Sequence, residues 1–415
     1  DDESIDLVFS TTSLGHWDCP QSGLREIHRV LRPGGSLLMA EHAPPNKAFT
    51  LLLRMMHRLP QLYGIGDMQV LLERSPLRLS RVISSWLRPN AISFLNPSAT
   101  AYLIVHYSNK ESRVPNLSSV IIVGAGPTGL TLAAELASLG IHTRVIEKRS
   151  SPSPYSRAFG ILPRTLELLD LRGQADGLVD RGLPWAHASM GDGRGWLDFS
   201  RLDTRYPYML VIPQNRTEEH LSSWAREVGA IIERDAIVTG VRQNEDGVTV
   251  EVDGPDGSRL ERADFIVGCD GVRSSVRELA GIAFQGRSYN KSLIVADVPL
   301  SNPPDPLVYA RVGQRGMVSF FPFGDGMFRL IVLDHAHMNV PVSQPVTEEE
   351  LRESCYAIIG DDFGLGTPLW ASRYRSEQRL SDRYRLGRVL LAGDAAHTHI
   401  PSGGQGLQTG IADAM

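Results

Sequence analysis

A glycine-rich turn between a short apolar segment and a longer one constrains the fold of this 415-residue chain more than any other feature. Residues 119–123 (SVIIV) have the composition of a buried strand, the turn is GAGPTG at 124–129, and residues 130–139 have helical spacing. A second short strand at 143–146 ends in Glu147. Strand, turn, helix and strand in this order predict an α/β unit built on a parallel sheet.

Each glycine of this turn meets a physical requirement of a phosphate-binding corner. Gly124 permits the tight turn, Gly126 lets a pyrophosphate approach the backbone, and Gly129 lets the helix pack closely on the strand. The N-terminus of the helix offers unpaired N–H groups to phosphates. Glu147, about twenty residues beyond the glycines, can accept hydrogen bonds from an adenosine ribose. The pattern predicts a dinucleotide site without separating FAD from NAD. The alternative is a packed corner followed by a solvated glutamate.

Two later strands each end in an aspartate beside a glycine. Residues 248–252 and 259–262 predict a hairpin that leads into a buried strand at 263–267, which ends in Cys269-Asp270-Gly271. A third buried strand at 388–392 ends in Gly393-Asp394. The carboxyl edge of a parallel sheet is the usual ligand crevice of such folds. For Asp270 the alternative is a cap on the helix expected at 274–279, which is compatible with a place in the site.

The stretches GAGPTG, CDGVRSSVR and GRVLLAGDAAH together resemble the class A flavoprotein monooxygenases, the aromatic hydroxylases related to phenol and polyketide hydroxylases. The resemblance covers nearly all residues from Val120 onward. It implies an FAD-binding Rossmann-like domain interleaved with a β-rich substrate domain. The implied activity is NADPH- or NADH-dependent hydroxylation of an aromatic or polyketide-like small molecule with dioxygen, through a flavin hydroperoxide. A flavin-dependent oxidase or dehydrogenase, or a fusion fragment with weak or no activity, is the alternative.

The resemblance also implies roles for individual residues. In the family, the aspartate at Asp394 binds the ribityl chain, the arginine at Arg157 helps to hold the flavin, and the glutamine at Gln214 contributes to the FAD pocket. The middle motif lies near FAD and the nicotinamide donor, and the loop at 401–406 lies beside the flavin ring. The cofactor-binding residues predicted in this way and from the fingerprint are Gly124, Gly126, Pro127, Gly129, Glu147, Lys148, Arg157, Gln214, Asp270, Gly393, Asp394, Gly404 and Gly406, and the candidates at the ring are Pro401, Gly403, Gly404 and Gly406.

Two features depart from the family pattern. Gln408 stands where the family usually has asparagine, which predicts altered contacts at the flavin ring. The sequence also stops at Met415, inside the helix expected after the flavin loop, so we expect weak retention of FAD.

The first hundred residues resemble a different family. Residues 5–42 (IDLVFSTTSLGHWDCPQSGLREIHRVLRPGGSLLMAEH) are similar to the second half of a class I methyltransferase that uses S-adenosylmethionine. The pattern predicts a strand at 5–10, a helix at 24–31, a turn at 33–35, a strand at 36–40 and another at 101–107. The family's glycine-rich loop and cofactor-binding acidic residue have no counterpart here. We therefore expect neither S-adenosylmethionine binding nor methyl transfer.

These patterns divide the chain. The polar run at 109–118 is typical of a linker. The predicted parts are a partial methyltransferase-like domain at 1–108, the linker at 109–118, an FAD-binding domain at 119–182, 216–285 and 376–415, and a substrate domain at 183–215 and 286–375.

Composition narrows the partners to small molecules. The net charge of -5, without a Lys/Arg block, argues against a nucleic-acid surface. The cysteines at 19, 269 and 355 are too far apart for a metal knuckle or a disulfide framework, which favours a cytoplasmic setting. No segment reaches the roughly 20 apolar residues of a membrane span. His397 and His399 lack acidic or cysteine partners at ligand spacing, so we predict structural hydrogen bonds and no metal site.

Overall fold

The computed structural model describes residues 5–11, 26, 31–43, 78–86, 101–108, 119–153, 155–190, 195–400 and 403–415. The chain divides into two compact units, Asp1–Asn116 and Leu117–Met415. This division falls inside the segment that the sequence marks as a linker, 109–118.

The first unit contains a mixed sheet. Its strands are β1 (Ile5–Thr11), β2 (Leu31–Ala43), β3 (Arg78–Trp86) and β4 (Ala101–Ser108). The order is β1-β2-β4-β3, with β1 parallel to β2 and β4 antiparallel to both neighbours.

All three strands predicted in this unit, at 5–10, 36–40 and 101–107, are confirmed. The turn predicted at 33–35 is wrong, because β2 passes through these residues and continues over 36–40. Ile5 of β1 pairs with Leu31 and Leu7 pairs with Ser36, so the register shifts between these two pairs. The Pro-Gly-Gly sequence lies in this irregular part of the strand pair instead of forming a turn. Of the helix predicted at 24–31, Glu26 is helical, Leu31 begins β2, and the remaining residues lie outside the described part of the chain.

The second unit alternates strands and helices before and after a long antiparallel section. Its helices are α1 (Pro127–Ser138), α2 (Pro163–Asp170), α3 (Ala175–Val179), α4 (Gln214–Glu227), α5 (Ser275–Leu279), α6 (Glu348–Ile359) and α7 (Gln405–Ala414). Short 3-10 turns occur at Phe199–Arg201 and Gly393–Ala395.

The strands of this unit are β5 (Ser119–Val123), β6 (His142–Glu147), β7 (Gly160–Ile161), β8 (Leu183–Trp185), β9 (His187–Met190), β10 (Gly195–Asp198), β11 (Met209–Val211), β12 (Ile231–Arg234), β13 (Ile237–Gln243), β14 (Val248–Gly254), β15 (Gly257–Ala263), β16 (Phe265–Gly268), β17 (Phe284–Pro299), β18 (Tyr309–Gly313), β19 (Gly316–Pro322), β20 (Met327–Asp334), β21 (Trp370–Ser381), β22 (Arg385–Leu386), β23 (Val389–Leu391) and β24 (His397–Thr398).

The parallel sheet predicted from the glycine turn is confirmed. Its order is β12-β6-β5-β16-β23-β22, and the pairs from β12 to β23 are all parallel. Both faces of β5 are buried: Val120 and Ile122 join one apolar cluster, with α1 and α4, while Ile121 and Val123 join another, with β14. Burial on both faces explains why this strand is apolar throughout. The chain leaves β5 toward β6 on one side and returns to β16 on the other, so a ligand crevice is expected where β5 and β16 end.

The strand predicted at 263–267 is interrupted. Asp264 separates β15 from β16, and its carboxylate accepts a hydrogen bond of 2.7 Å from the Ser119 backbone N–H. The residue thus turns the chain from the β13-β14-β15 meander into the parallel sheet. The predicted hairpin is confirmed, since β14 and β15 pair in antiparallel fashion with Gly254 opposite Gly257.

The antiparallel section is mainly a sheet in the order β18-β19-β20-β17-β21-β24. We call it the substrate sheet, because most of it lies in the segment for which the sequence predicts a substrate domain. Phe320 and Leu330 on this sheet pack with Leu351 and Cys355 of α6 in one buried cluster. Two smaller sheets have the orders β7-β11-β8 and β10-β9. No helix in the described part of the chain is both long and apolar enough to cross a membrane.

Candidate functional site

Two glycines of the first motif are required by packing inside the protein. Gly124 has φ 105°, and a Cβ placed on it would lie 2.5 Å from the Cys269 carbonyl oxygen. A Cβ on Gly129 would lie 2.0 Å from the Gly124 carbonyl oxygen. The first motif therefore contacts the backbone just before Asp270, which places the ends of β5 and β16 side by side.

Gly126 differs from its two neighbours. A Cβ placed on it would meet no heavy atom within 4 Å. Gly126 is the N-cap of α1, no side chain caps this end of the helix, and Pro127 follows in its first turn. No side chain caps the backbone N–H groups at the start of this 12-residue helix. This corner has the room and the donors that a pyrophosphate requires.

Glu147 lies at the end of β6, and the chain itself holds its carboxylate. One oxygen accepts a 2.7 Å hydrogen bond from the Ala125 N–H, and the other accepts bonds from the backbone N–H (2.9 Å) and Nε (3.0 Å) of Arg149. Burial of the side chain opposes ionisation, but these donors and the guanidinium charge lower the pKa of Glu147 below its usual value. The residue is thus a fixed carboxylate under the glycine turn. Lys148 beside it is exposed.

Asp270 has one engaged oxygen and one free oxygen. Oδ2 accepts hydrogen bonds from the Ser275 N–H (2.7 Å), the Ser275 hydroxyl (2.9 Å) and the Val276 N–H (3.3 Å) at the start of α5. Oδ1 is buried and has no hydrogen-bond partner within the described residues. The helix-capping interpretation therefore holds for Oδ2, although the N-cap residue itself is Ser274. Oδ1 remains as an acceptor for a ligand at the crevice.

Arg277, which sequence reasoning did not select, connects the middle motif to the last one. Its buried guanidinium donates to the carbonyl oxygens of Ala395 (3.0 Å) and Val272 (2.9 Å). The guanidinium carbon lies 3.9 Å from the centre of the Phe284 ring. Desolvation lowers the pKa of Arg277. Only the fold reveals this residue, because its two acceptors lie 118 and 5 positions away in the sequence.

Asp394 is exposed, and no hydrogen bond to it occurs within the described residues. The surrounding protein nevertheless removes part of its hydration and raises the pKa of the carboxyl, an effect that His397, His399 and Arg157 oppose. The carboxylate thus lies open to solvent among positive and titratable groups. Its acceptor capacity is unused, unlike that of Glu147.

The turn that carries Asp394 is fixed from α7. Asp413 accepts a 2.8 Å hydrogen bond from the Gly393 N–H and lies 2.7 Å from His397 Nε2. Hydrogen bonding to Asp413 raises the pKa of His397. Cβ atoms placed on Gly393 and Gly410 would lie 2.6 and 2.3 Å from Thr128 Oγ1. The last motif, α7 and the first turn of α1 therefore meet at Thr128.

The loop before α7 is glycine-rich and strongly bent. Gly403 and Gly404 have φ 83° and 63°, and both are exposed. Gly404 is the N-cap of α7, without a side-chain cap. Gly406 lies in the first turn of this helix, where the nearest atom to an added Cβ would be His399 Cε1 at 3.8 Å. Pro401, the remaining candidate for the flavin ring, lies outside the described residues.

Arg157 and Gln214 lie on adjacent segments. The Gln214 side chain accepts a 3.0 Å bond from the Ala158 N–H and donates a 2.7 Å bond to Glu218. The Arg157 side chain is exposed, while its carbonyl oxygen accepts from Arg329 at 2.6 Å. Sequence reasoning missed Arg329. Its position in an apolar strand, between Phe328 and Leu330, was the available signal, because a lone arginine there must find partners inside the protein.

Comparison with known proteins gives matches to both parts of the chain. Residues 118–415 match the family model described as "FAD binding domain", and residues 1–39 match one described as "Methyltransferase domain". An uncharacterized aromatic compound monooxygenase of Bacillus subtilis is 43% identical over 298 residues, covering 71% of this chain and 59% of that protein.

Two tetracycline-pathway proteins are also similar. The 12-dehydrotetracycline 5-monooxygenase/anhydrotetracycline 6-monooxygenase of Streptomyces rimosus subsp. rimosus is 41% identical over 305 residues, covering 71% of this chain and 61% of that protein. The solved structure of an anhydrotetracycline hydroxylase from Streptomyces rimosus has a TM-score of 0.63 and 42% identity, covering 72% and 60% of the two chains.

The chain thus spans about 60% of the length of the curated relatives it matches. The family match itself extends over all three glycine-bearing motifs and the substrate sheet. From residue 118 to residue 415, this protein belongs to the FAD binding domain family, whose members include aromatic and polyketide monooxygenases.

Proposed function

We propose that this chain forms the FAD-binding and substrate-binding part of an NADPH- or NADH-dependent monooxygenase that hydroxylates an aromatic or polyketide-like molecule with dioxygen. The observation that carries the proposal is the unused binding capacity where β5 and β16 end. There an open helix N-terminus at Gly126 and the orphaned Oδ1 of Asp270 occur beside the packed Gly124–Cys269 contact. The names of the relatives supply the reaction class.

The residues present fit FAD in an extended pose. We assign the pyrophosphate to the N–H groups at Gly126 and the start of α1, and the ribose of the adenosine to Glu147. Asp394 would accept hydrogen bonds from the ribityl hydroxyls, since its oxygens are free and exposed. Arg157 is exposed, and its charge opposes the rise in the pKa of Asp394, so we assign it to the same part of the cofactor.

Bound FAD would supply the redox chemistry, as an acceptor of hydride from a nicotinamide donor and a source of electrons for dioxygen. The chain contributes orientation and electrostatics. The exposed, positive-φ backbone at Gly403 and Gly404 carries no side chain that would block the approach of a flat ring. The N-terminus of α7, which starts at Gln405, directs its partial positive charge to this loop and would stabilise negative charge that develops on the ring.

The first test is binding. Titration of the purified chain with FAD, followed by flavin fluorescence and visible absorbance, should show saturable binding of one equivalent. The second test is turnover in the presence of anhydrotetracycline as the aromatic probe, with NADPH and NADH compared in parallel. The probe should stimulate oxidation of the nicotinamide donor, and the product should carry oxygen from labelled dioxygen. Label from water alone, or peroxide formed without hydroxylated product, would contradict a monooxygenase and favour an oxidase.

Two further proposals concern the cellular setting and the first unit. A cytoplasmic, reducing setting is supported by Cys269 and Cys355, which are buried and unpaired. For the first unit we propose no binding of S-adenosylmethionine, because the family match there extends over residues 1–39 alone. Calorimetric titration that gave a micromolar dissociation constant for S-adenosylmethionine would contradict this proposal.

A further inference from the structure

One short backbone segment is held by side chains from three distant parts of the chain. Residues 156–162, here called the strap, run from the end of the β6 region to α2 and include β7. Arg329 of β20 donates from Nη2 to the Ser156 carbonyl oxygen and from Nη1 to the Arg157 carbonyl oxygen, both at 2.6 Å. The substrate sheet is thereby bonded to the backbone of Arg157, the residue to which we assign FAD contact.

The middle of the strap is bonded to the start of α4. The Ala158 N–H donates to Gln214 Oε1 at 3.0 Å, and the Gln214 N–H donates to the Ala158 carbonyl oxygen at 3.1 Å. The Ile212 N–H donates to the Phe159 carbonyl oxygen at 3.0 Å. These bonds fix the middle of the strap to the residues around the start of α4.

The last part of the strap is bonded to α7 through Gln408. Its Nε2 donates to the Gly160 carbonyl oxygen at 2.8 Å and to the Gly404 carbonyl oxygen at 3.3 Å, and its Oε1 accepts from the Leu162 N–H at 3.3 Å. The side chain is buried, with 8% of the residue exposed. One amide therefore joins the strap to the glycine loop. An asparagine at this position would be about 1.5 Å shorter, one carbon–carbon bond, and could not bridge both carbonyl groups without a backbone shift.

Arg329 is itself rigidly fixed. It is fully buried, its Nε lies 2.7 Å from Asp297 Oδ1, and its Nη2 lies 3.3 Å from Asp297 Oδ2. Its guanidinium carbon is 5.4 Å from the ring centres of Phe159, Phe323 and Trp370. A buried guanidinium is stable only when its N–H donors are bonded. In Arg329 the carboxylate of Asp297 and the two carbonyl oxygens of the strap together supply the acceptors. The geometry leaves Arg329 little freedom to move apart from the strap.

We infer that Arg329 and Gln408 are positioning residues that hold the two ends of the strap as a clamp, so that Arg157 and the Gly403–Gly406 loop keep a fixed spacing around the flavin. The inference rests on the proposed function. It predicts that a displacement of β20 in the substrate sheet also displaces the Gly403–Gly406 loop, because the strap is bonded to both. The rival interpretation is that both residues merely stabilise the fold.

The test compares Arg329→Lys, Gln408→Met and the double variant with a matched control, Arg373→Lys. Arg373 lies on the same sheet, its side chain is equally buried, and it donates to both Glu350 oxygens, at 2.8 and 2.7 Å, rather than to the strap. Each clamp variant should raise the FAD dissociation constant about tenfold, the loss expected for one charged or buried hydrogen bond. The control should lose comparable thermal stability and keep its dissociation constant within about twofold.

The FAD dissociation constant of the double variant shows whether the two residues act through the same segment. Because both residues act on one strap, the two effects on FAD binding should be less than multiplicative, and the resolved visible band of bound flavin should broaden similarly in all three variants. Multiplicative effects, or clamp variants that lose stability like the control while binding FAD normally, would overturn the inference. If Arg329→Lys does not fold, Asp297→Asn, which keeps the shape and loosens Arg329, takes its place.

Hydrogen exchange of the protein without FAD separates this inference from the proposed function. The amides of Ala158 and Leu162 should exchange faster in both clamp variants than in the native chain or in Arg373→Lys, because each amide is protected through the strap. If the native chain failed to bind FAD, the proposed function would be wrong. The exchange measurement would still test whether Arg329 and Gln408 hold the strap. Unchanged exchange at both amides in the clamp variants would rule it out.

Discussion

The two carboxylates assigned to FAD, Glu147 and Asp394, are in opposite states. Glu147 is 4% exposed, accepts bonds from Ala125 and Arg149, and has a lowered pKa. Asp394 is exposed, lacks a hydrogen bond within the described residues, and has a raised pKa. The carboxylate proposed for the adenosine end is thus already bonded by the protein, whereas the one proposed for the flavin end has no hydrogen-bond donor within the described residues.

This difference separates what the fold needs from what the ligand needs. A carboxylate that caps a glycine turn contributes to stability before any ligand arrives, so its replacement damages the unliganded protein. A carboxylate that is partly desolvated and has no hydrogen-bond donor is unfavourable in its ionised form until a ligand supplies donors. This state is typical of a binding residue rather than a structural one. The four predictions below test this contrast, from the largest expected effect to the smallest.

The largest effect is expected for Gly124→Ala at the adenosine end. Positive φ and the 2.5 Å overlap with the Cys269 carbonyl oxygen should lower the free energy of unfolding by about 3 kcal/mol. Urea denaturation of the unliganded protein measures this loss. Gly126→Ala is the matched control in the same turn, because its Cβ has open space. It should keep its stability and weaken FAD binding. Equal stability losses in the two variants would show that Gly126 is structural as well.

Next in size is Glu147→Gln. The amide keeps one acceptor oxygen but loses the charge, so the donors at Ala125 and Arg149 lose about 2 kcal/mol of stabilisation. The pKa of Glu147 is lowered by folding, so its contribution is present above about pH 4.3, the unfolded value, and is lost as pH falls through the folded value. Denaturation curves of the native and variant proteins should therefore differ at pH 7 and converge in acid. A difference that does not shrink as the pH falls from 7 into the acid range contradicts the assignment.

Asp394→Asn should have the reverse profile. Folding raises the pKa of Asp394, so the ionised form is disfavoured in the folded state, and a neutral amide should leave the stability of the unliganded protein unchanged or higher. The FAD dissociation constant should rise about tenfold, because a charged acceptor for hydroxyl groups is lost. Thermal melts without FAD and a fluorescence titration with it provide the two measurements. If the variant were destabilised and bound FAD normally, Asp394 would be a structural residue like Glu147, and the proposed difference between them would be wrong.

The smallest effect concerns His397 and Asp413, which brace the turn under Asp394. The pKa of His397 is raised by Asp413, so their attraction is fully present below about pH 6.5 and fades as pH rises through the folded value. His397→Gln should cost about 1 kcal/mol at pH 5.5 and less at pH 8.5. Thermal melts at both values test this, with His142→Gln, an exposed histidine on β6, as the control. A cost independent of pH would assign His397 to packing alone.

Sequence patterns predicted the parallel sheet well, because local signals define it. The strand, glycine turn and helix around Gly124 are adjacent in the chain, and the apolar strands before Asp270 and Gly393 carry the same signature. Local signals misled the prediction at 33–35, where register in a sheet outweighed turn propensity, and at Asp264, where a hydrogen bond to Ser119 ends one strand and starts another.

The residues that brace the candidate site were harder to predict. Arg277, Arg329 and Asp413 find their acceptors and donors across 118, 173 and 20 positions of sequence. No local period or motif encodes such pairs, since they arise only when the two sheets and α7 come together. The departure at Gln408 was visible in the sequence, but its bonds to Gly160 and Leu162 were not.

By itself, the amino-acid sequence determined the family, the parallel sheet and the positions of Gly124, Glu147, Asp270 and Asp394 near its carboxyl edge. These follow from short-range rules of backbone conformation and apolar periodicity. Tertiary structure decided which groups remain available to a ligand: Gly126 is open while Gly124 is packed, one Asp270 oxygen is free while the other caps α5, and Asp394 is exposed while Glu147 is buried. Availability depends on what distant segments bring to each atom, which no local pattern contains.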